Sequence, residues 1–76
     1  MASLPVVSGS EIVAILERLG WSVARRRGSQ AILTKQGSFA SLSVPDHSEI
    51  ARGTLRALLR AAELTPAEFL AARDRR

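Results

Sequence analysis

Residues 21–45 have the sequence WSVARRRGSQAILTKQGSFASLSVP, and in this stretch the apolar residues follow the spacing of β-strands. Three segments with this spacing are separated by two turn sequences: the segments are 21–24, 31–34 and 39–44, and the turns are Gly28-Ser29 and Gln36-Gly37-Ser38. In the third segment Leu42 and Val44 share one face with Ala40, while the intervening residues take the other. We therefore predict three short antiparallel strands.

A helix is predicted before the strands. Ser8-Gly9-Ser10-Glu11 has the Ser-x-x-Glu pattern of a capping box, in which each side chain satisfies a backbone N–H that the helix leaves unpaired. One apolar face follows at helical spacing and consists of Ile12, Ile15, Leu16 and Leu19. Gly20 is the stop signal, and Trp21, directly after it, is predicted to pack in the core under this helix.

Two helices are predicted after the strands. The first begins near Gly53, and its apolar face consists of Leu55, Leu58, Leu59 and Ala62. Thr65-Pro66-Ala67-Glu68 is a second capping box with proline at the first helical position, which predicts a short terminal helix through Phe69 and Leu70. The predicted fold class is therefore α+β, with the order α-β-β-β-α followed by a short C-terminal helix.

Length and composition limit what the chain can be. With 76 residues it is predicted to form a single domain, 1–76, of modest stability, for which a tight partner or oligomerisation is expected. The absence of cysteine excludes a disulfide, a thiol nucleophile and a cysteine zinc site. No run approaches the roughly 20 apolar residues of a membrane span, and residues 1–7 lack the pattern of a secretion signal. We therefore expect a cytoplasmic protein.

The net charge of +4 is concentrated in the middle of the chain. Between Arg18 and Arg60 there are eight cations and two acids, which leaves +6. The cations are Arg18, Arg25, Arg26, Arg27, Lys35, Arg52, Arg56 and Arg60. Such a stretch favours a nucleic acid as partner, because neutralising phosphates releases condensed counterions; a basic surface that serves solubility is the alternative. We expect these cations to form one surface, with a cationic ridge along the helix that follows the strands.

The only histidine, His47, lies in the loop Pro45-Asp46-His47 after the third strand. Histidine transfers protons readily near neutral pH, so His47 is a candidate acid or base; a structural role in the turn is the alternative. A Ser29, His47 and Asp46 triad is disfavoured, because adjacent Asp and His side chains cannot easily align as orienting group and base. Asp46, His47 and Glu49 lack the spacing of convergent ligands, so no metal site is predicted.

The predicted order of elements, with its basic strand region, resembles double-stranded-RNA-binding domains, which recognise the A-form shape and the phosphates of RNA. Five segments further resemble the HicA toxins of bacterial HicA/HicB toxin–antitoxin modules. They are 4–9 (LPVVSG), 16–21 (LERLGW), 27–29 (RGS), 44–47 (VPDH) and 52–59 (RGTLRALL). Each segment is short, but together they cover nearly the whole chain in the order and spacing of that family.

The resemblance implies a small mRNA interferase that cleaves mRNA with no metal or other cofactor and whose active surface is covered by a HicB antitoxin. It implies no membrane and no small-molecule cofactor. On this interpretation, the residues that we expect to bind RNA are Arg25, Arg26, Arg27, Gly28, Ser29, Lys35, Arg52 and Arg56. Among them, the arginines at 25–27 and Lys35 are expected to hold phosphates beside position 30, with the helix arginines as further contacts.

The chain departs from this family at position 30, where the catalytic histidine after Gly-Ser is replaced by Gln30. Glutamine forms hydrogen bonds but does not titrate, and losing general acid–base help lowers a rate about 10²- to 10⁴-fold. We therefore expect an inactive or nearly inactive toxin, whether the substitution is engineered or natural. His47 matches a histidine often found in the family and is a possible secondary site residue. Glu63 stands where the family usually has the glycine that ends the second helix.

Two other functions are compatible with the sequence. One is a non-catalytic module of the same fold that binds RNA or only the antitoxin. The other is a DNA-binding regulator acting through the basic second helix, which is disfavoured because three strands separate the two main helices and leave no helix-turn-helix pair.

Overall fold

The computed structural model of the chain describes residues 3–74. The elements in chain order are α1 (Gly9–Arg18), β1 (Ser22–Arg27), β2 (Gln30–Thr34), β3 (Ser41–Pro45), α2 (Arg52–Ala61) and α3 (Pro66–Asp74). The predicted α+β fold, with three antiparallel strands between helices and a short C-terminal helix, is therefore confirmed. Among the described residues, no helix has the length and apolar character needed to cross a membrane.

The capping box predicted at the start of α1 is formed. The Glu11 N–H donates to Ser8 Oγ, and the Ser8 N–H donates to Glu11 Oε1, both at 3.1 Å. Behind this cap Ile12, Ile15 and Leu16 are buried on the predicted apolar face. Local hydrogen bonding thus determines where α1 begins, and burial determines which side faces the core.

α1 ends in a Schellman motif. The N–H of Trp21 donates to the carbonyl of Leu16 at 3.0 Å, and the N–H of Gly20 donates to that of Glu17 at 3.2 Å. Gly20 adopts φ +98°, a left-handed conformation that glycine accepts at no steric cost. The predicted stop at Gly20 is therefore confirmed.

α2 ends in the same motif, with glutamate in the glycine position. The N–H of Leu64 donates to the carbonyl of Leu59 at 2.8 Å, and the N–H of Glu63 donates to that of Arg60 at 3.1 Å. Glu63 adopts φ +58°, which costs an L-residue about 1–2 kcal/mol. Leu64 packs against the core directly after this turn, so the chain keeps the motif and carries the strain at Glu63.

The sheet has the strand order β1-β2-β3, and both strand pairs are antiparallel. Leu33 is paired with Leu42, and Ala31 is paired with Val44, so these four side chains point to the same face. That face packs on the helices, since all four residues belong to the cluster that also contains Leu16 of α1 and Leu55 of α2. The inward face predicted for the third strand is confirmed.

Two strand boundaries, the end of β1 and the start of β3, differ from the prediction by more than one residue. β1 continues through the three arginines to Arg27, whereas the apolar pattern ended that strand at residue 24. β1 is an edge strand with mostly exposed side chains, so charged residues are tolerated along it and alternation does not reveal its length. β3 starts at Ser41, which pairs with Thr34, the last residue of β2; Phe39 and Ala40 therefore precede the strand.

The core extends from the sheet to the last helix. Trp21 is 3% exposed, which confirms its predicted place in the core. Phe69 and Ala72 of α3 are fully buried in the same cluster. Arg18 Nη1 donates to the carbonyls of Ala72 at 3.0 Å and Arg73 at 3.2 Å, where the last turn of α3 has free acceptors. α3 is therefore held by its apolar face and by a cation at its C-terminal end.

Candidate functional site

The sheet face that points away from the helices is called here the open face. Alternation and strand register assign to it Ser22, Arg25, Arg27, Gln30, Ile32, Thr34, Ser41 and Ser43. Ile32 is 8% exposed although it lies outside the core cluster, and its cross-strand neighbours are Arg25 and Ser43. The open face therefore combines two guanidinium groups, an amide and several hydroxyl groups around one covered apolar residue.

Gln30 lies at the end of the open face and is exposed. It is the first residue of β2, and its paired residues are Arg27 on β1 and Pro45 on β3. The Ser43 hydroxyl donates a hydrogen bond to the side-chain oxygen of Gln30. Position 30 is thus flanked by a cation on one strand and a hydroxyl on the other.

The three consecutive arginines of β1 do not share a face. Arg25 is paired with Ile32, and Arg27 is paired with Gln30, so both belong to the open face. Arg26 is paired with Ala31, a core residue, and borders the cleft between α1 and the sheet together with Glu17. The β-bulge between Val23 and Arg25 sets this phase, because one extra residue shifts all later side chains to the other face.

The turn Gly28-Ser29 joins β1 to β2 next to position 30. Gly28 has φ +57°, and a Cβ atom there would meet no atom within 4 Å. Glycine is therefore favoured at this position by the left-handed backbone and not by a lack of space. The Asp46 N–H donates to the Ser29 carbonyl at 2.7 Å, which ties the turn to the chain leaving β3. Both predicted residues of this turn therefore lie beside Gln30.

His47 lies at the same end of the sheet, two residues after Pro45, and is exposed. Its carbonyl accepts a hydrogen bond from the Gly9 N–H at 2.9 Å, which attaches the loop to the start of α1. A Cβ atom at Gly9 would lie 2.0 Å from the Pro45 oxygen, so only glycine allows this approach. The fold therefore brings the single histidine and Gln30 to one end of the molecule.

Lys35 lies at the other end of β2 from Gln30. Five residue steps separate them, which corresponds to about 17 Å along a strand. The aliphatic part of Lys35 lies beside Gly20, where a Cβ atom would be 3.4 Å from Lys35 Cε. The expectation that Lys35 holds a phosphate next to position 30 does not fit this placement.

The predicted site residues of α2 lie on the helix layer of the molecule. Arg52 Nε donates to the Leu4 carbonyl at 2.7 Å and so anchors the N-terminal segment, which also pairs Val7 with Ile50. Arg56 is exposed and lines the groove between α2 and α3, as does Arg60. Neither Arg52 nor Arg56 belongs to the open face.

The expectation that the eight central cations form one surface is therefore wrong. Two lie on the open face, one borders the α1 cleft, and Arg18 is bound to the end of α3. The cause is that strand pairing and helix packing distribute neighbouring residues over opposite sides of a two-layer protein. The cationic part of the open face consists of Arg25 and Arg27.

The groups around Gln30 suit a phosphodiester chain. Guanidinium groups bind phosphate through paired hydrogen bonds, and amide and hydroxyl groups bind ribose or phosphate oxygens. Ser43 is a site residue that the sequence did not single out, because its contact with Gln30 depends on strand register; alternation alone placed it on the solvent side. Among residues 3–74, no group of three or more His, Cys, Asp or Glu side chains could hold a metal ion.

These features define a small α+β protein in which one sheet face points away from the described helices and carries a cationic, hydroxyl-bearing site at one end. A family model described as the HicA toxin of bacterial toxin–antitoxin systems matches residues 9–64, from the start of α1 to the turn after α2. The chain belongs to the HicA toxin family. Comparison with curated proteins gives no match.

Family membership confirms the resemblance and gives the function in general terms. HicA proteins are toxins that cleave mRNA and are paired with an antitoxin, so RNA is the general substrate class and an antitoxin the general partner. α3 lies beyond the matched residues, although Phe69 completes the core. The role of position 30 stays a prediction.

Proposed function

We propose that the protein is the toxin of a HicA/HicB-type module and that Gln30 leaves its endoribonuclease site inactive or nearly so. The observation that carries this proposal is the position of Gln30 on the open face between Arg27 and the exit of β3, with Ser43 bonded to its side chain. The proposed toxin acts in the cytoplasm, where mRNA is found. No metal or other cofactor takes part in the proposed reaction, as the family resemblance implies.

RNA cleavage through the neighbouring ribose requires two proton transfers. The 2′-hydroxyl loses its proton to a base as its oxygen bonds to phosphorus, and the 5′-oxygen gains a proton from an acid as its bond to phosphorus breaks. An imidazole at position 30 can perform one of these transfers, whereas the amide of Gln30 can only donate and accept hydrogen bonds. Binding of the phosphate by Arg25 and Arg27 is retained in this chain, so it is expected to hold RNA without cutting it efficiently.

The chain of β3 offers support for a catalytic group at position 30. Ser43 is the nearest hydroxyl on that strand and already bonds the residue there. With histidine in place of Gln30, the same hydroxyl can bond one ring nitrogen and so orient the other toward the substrate. We therefore assign Ser43 the role of a positioning residue.

His47 is the second candidate for proton transfer in this proposal. It is exposed and lies two residues beyond Pro45, the paired residue of Gln30. If His47 supplies the second proton transfer, His47→Ala abolishes the cleavage of RNA that a Gln30→His protein performs. Undiminished cleavage would remove His47 from the mechanism.

The proposed antitoxin is a HicB-type protein that covers the open face. Arg25 and Arg27 would meet acidic side chains of that partner, because complementary charge speeds association and disfavours other partners. Bound there, the antitoxin would exclude RNA from position 30 by occupying the same cations.

Restoring histidine tests the proposed function. Expression of Gln30→His is expected to arrest growth and degrade cellular mRNA, with a cleavage rate about 10²- to 10⁴-fold above that of the parent protein. Gln30→Asn is the matched control, since it also alters the side chain but cannot titrate, and it should leave growth unaffected. Normal growth with intact transcripts, from a Gln30→His protein shown to be folded, would contradict the proposed ribonuclease.

A non-catalytic binding module is the second candidate. It is favoured because the two side chains that are hydrogen-bonded at this position, Gln30 and Ser43, do not transfer protons near neutral pH. In that case Gln30→His binds RNA or the antitoxin as the parent does and cuts nothing. Gel shifts with single-stranded RNA, duplex RNA and duplex DNA over a salt series separate this candidate from a DNA-binding regulator.

A further inference from the structure

Phe39 is the most exposed large apolar residue in the described part of the chain. Its relative exposure is 110%, and the other exposed large apolar residue there, Val6, is at 46%. A phenyl ring in this state buries none of the apolar area that would otherwise stabilise the fold. The fold therefore presents this ring to solvent.

The loop around Phe39 is held on both sides of the ring. The Ser38 N–H donates to the Lys35 carbonyl at 3.1 Å, with Gly37 at φ +86° inside that turn. The Ala40 N–H donates to Ser38 Oγ at 3.2 Å, and Ala40 packs against the core. Because the next residue is anchored inward, Phe39 is directed away from the core by a structured loop.

Phe39 lies at the opposite end of the open face from Gln30. Four residue steps lead along β2 from Gln30 to Thr34, which pairs with Ser41, and two more steps lead back along the chain to Phe39. At about 3.4 Å per residue of extended chain, the two sites are up to roughly 20 Å apart. A stacked nucleic-acid strand advances about 3.4 Å per nucleotide and an extended one advances further, so at most about six nucleotides span this distance.

We infer that the open face is a track for single-stranded RNA and that Phe39 stacks on an unpaired base several nucleotides from the phosphate held at Gln30. This inference rests on the proposed function, in which RNA occupies the open face. Aromatic rings stack on bases that are free of a duplex, and bases inside a duplex do not offer their faces. Lys35, in the same loop segment, then meets a phosphate at this end of the track.

The surroundings of Phe39 favour RNA over a protein as its ligand. The preceding residues Gln36, Gly37 and Ser38 are not large apolar residues, so the ring does not belong to a wide apolar patch. An aromatic anchor in a protein interface normally lies inside a larger surface from which water is excluded. A base face, in contrast, needs only the ring and a nearby cation.

Phe39→Ala is the first test of this inference, with the protein as it stands, because Gln30 leaves the bound RNA uncut. Its affinity for a 12-nucleotide oligoadenylate is expected to fall about 10-fold relative to the parent. A dinucleotide, which is too short to reach from Gln30 to Phe39, and an abasic 12-mer of the same phosphate number should bind both proteins equally. Val6→Ala is the matched control, since it removes an exposed apolar side chain and should bind as the parent does.

Phe39→Trp gives a second readout. Trp21 is the only native tryptophan and is buried, so the added indole supplies the exposed fluorescence signal. Oligoadenylate should quench this signal and the abasic oligonucleotide should leave it unchanged. For Phe39→Ala, an equal loss of affinity for oligoadenylate and for the abasic strand, or no loss for either, would overturn the inference.

Two further outcomes separate this inference from the proposed function. In the first outcome, Gln30→His cuts RNA, and adding Phe39→Ala changes neither the binding nor the cutting of long strands. Only the stacking site then fails. If Gln30→His cuts nothing while Phe39→Ala still loses affinity for oligoadenylate, the ribonuclease fails and the track stands. Loss of antitoxin binding with unchanged RNA binding would assign Phe39 to the partner and overturn the inference.

Discussion

The hydroxyl of Ser43 on β3 donates a hydrogen bond to the side-chain oxygen of Gln30 on β2. This contact joins the residue at the proposed catalytic position to a strand in which the sequence shows no catalytic motif. It predicts that Ser43 orients whatever side chain occupies position 30.

In a Gln30→His background, Ser43→Ala is expected to slow RNA cleavage about 5- to 10-fold, because one hydrogen bond contributes roughly 1 kcal/mol. Ser43→Thr keeps the hydroxyl and should restore the rate. Cleavage rates measured across pH are the decisive readout, since loss of the bond alters the titration of the new histidine. Identical pH profiles with and without the Ser43→Ala substitution would show that the bond has no role in positioning.

Gly9 is expected to tolerate no side chain. Gly9→Ala places a Cβ atom 2.0 Å from the Pro45 oxygen, so α1 must move off the exit of β3. We expect a loss of about 2 kcal/mol or more in the free energy of unfolding, measured with urea. Gly53→Ala is the control: it lies in α2 with no atom within 4 Å, and it should stabilise by roughly 0.5–1 kcal/mol.

Glu63→Gly is expected to stabilise the protein. The change removes the strain of a left-handed residue at φ +58° and should raise the free energy of unfolding by about 1 kcal/mol. Glu17→Gly, the same substitution inside α1, should lower it by about 1 kcal/mol. The two urea midpoints must move in opposite directions; a lower midpoint for Glu63→Gly would contradict the assignment of strain to this turn.

Glu68 is expected to make stability depend on acid pH. The Thr65 N–H donates to Glu68 Oε1 at 2.9 Å, and this bond, with a second contribution from the Thr65 side chain, holds the pKa of Glu68 below its ordinary value. Because the pKa is lower in the folded protein, this stabilisation is complete above the unfolded pKa and is lost as the pH falls through the folded one.

Urea unfolding of the parent and of Glu68→Gln at several pH values measures this effect. The parent should be the more stable protein at neutral pH, and the difference between the two should shrink as the pH is lowered through the acid range. Other carboxylates are common to both proteins and cancel in the comparison. A difference that does not change with pH would argue against the capping bond.

Arg18 is expected to hold α3 in place. Arg18→Met keeps the aliphatic stem but removes the hydrogen bonds to the Ala72 and Arg73 carbonyls, at a cost of about 1–2 kcal/mol. Hydrogen exchange should show that Arg18→Met, compared with the parent, speeds the opening of α3 more than that of α1. Arg60→Met, at an exposed position in the last turn of α2, should change stability by less than about 0.5 kcal/mol. Unchanged protection of α3 would rule out this role for Arg18.

The helix starts and the inward faces were predictable because their signals are local. Each capping box, at Ser8 and at Thr65, joins residues three apart in the chain, and strand alternation requires only the next residue but one. Position 30 was singled out by family resemblance, since no physical pattern in a short strand marks one exposed residue as catalytic.

Contacts between distant residues decided the rest. Pairing with β2 and the bulge after Val23 place Arg26 on the other face of the sheet from Arg25 and Arg27. No count of charges along the chain could show this. The Ser43–Gln30 bond joins residues 13 apart, and the bond from Arg18 to Ala72 joins residues 54 apart. Local composition determined which segments become helices and strands; register and packing, which depend on the whole chain folding together, determined which side chains meet.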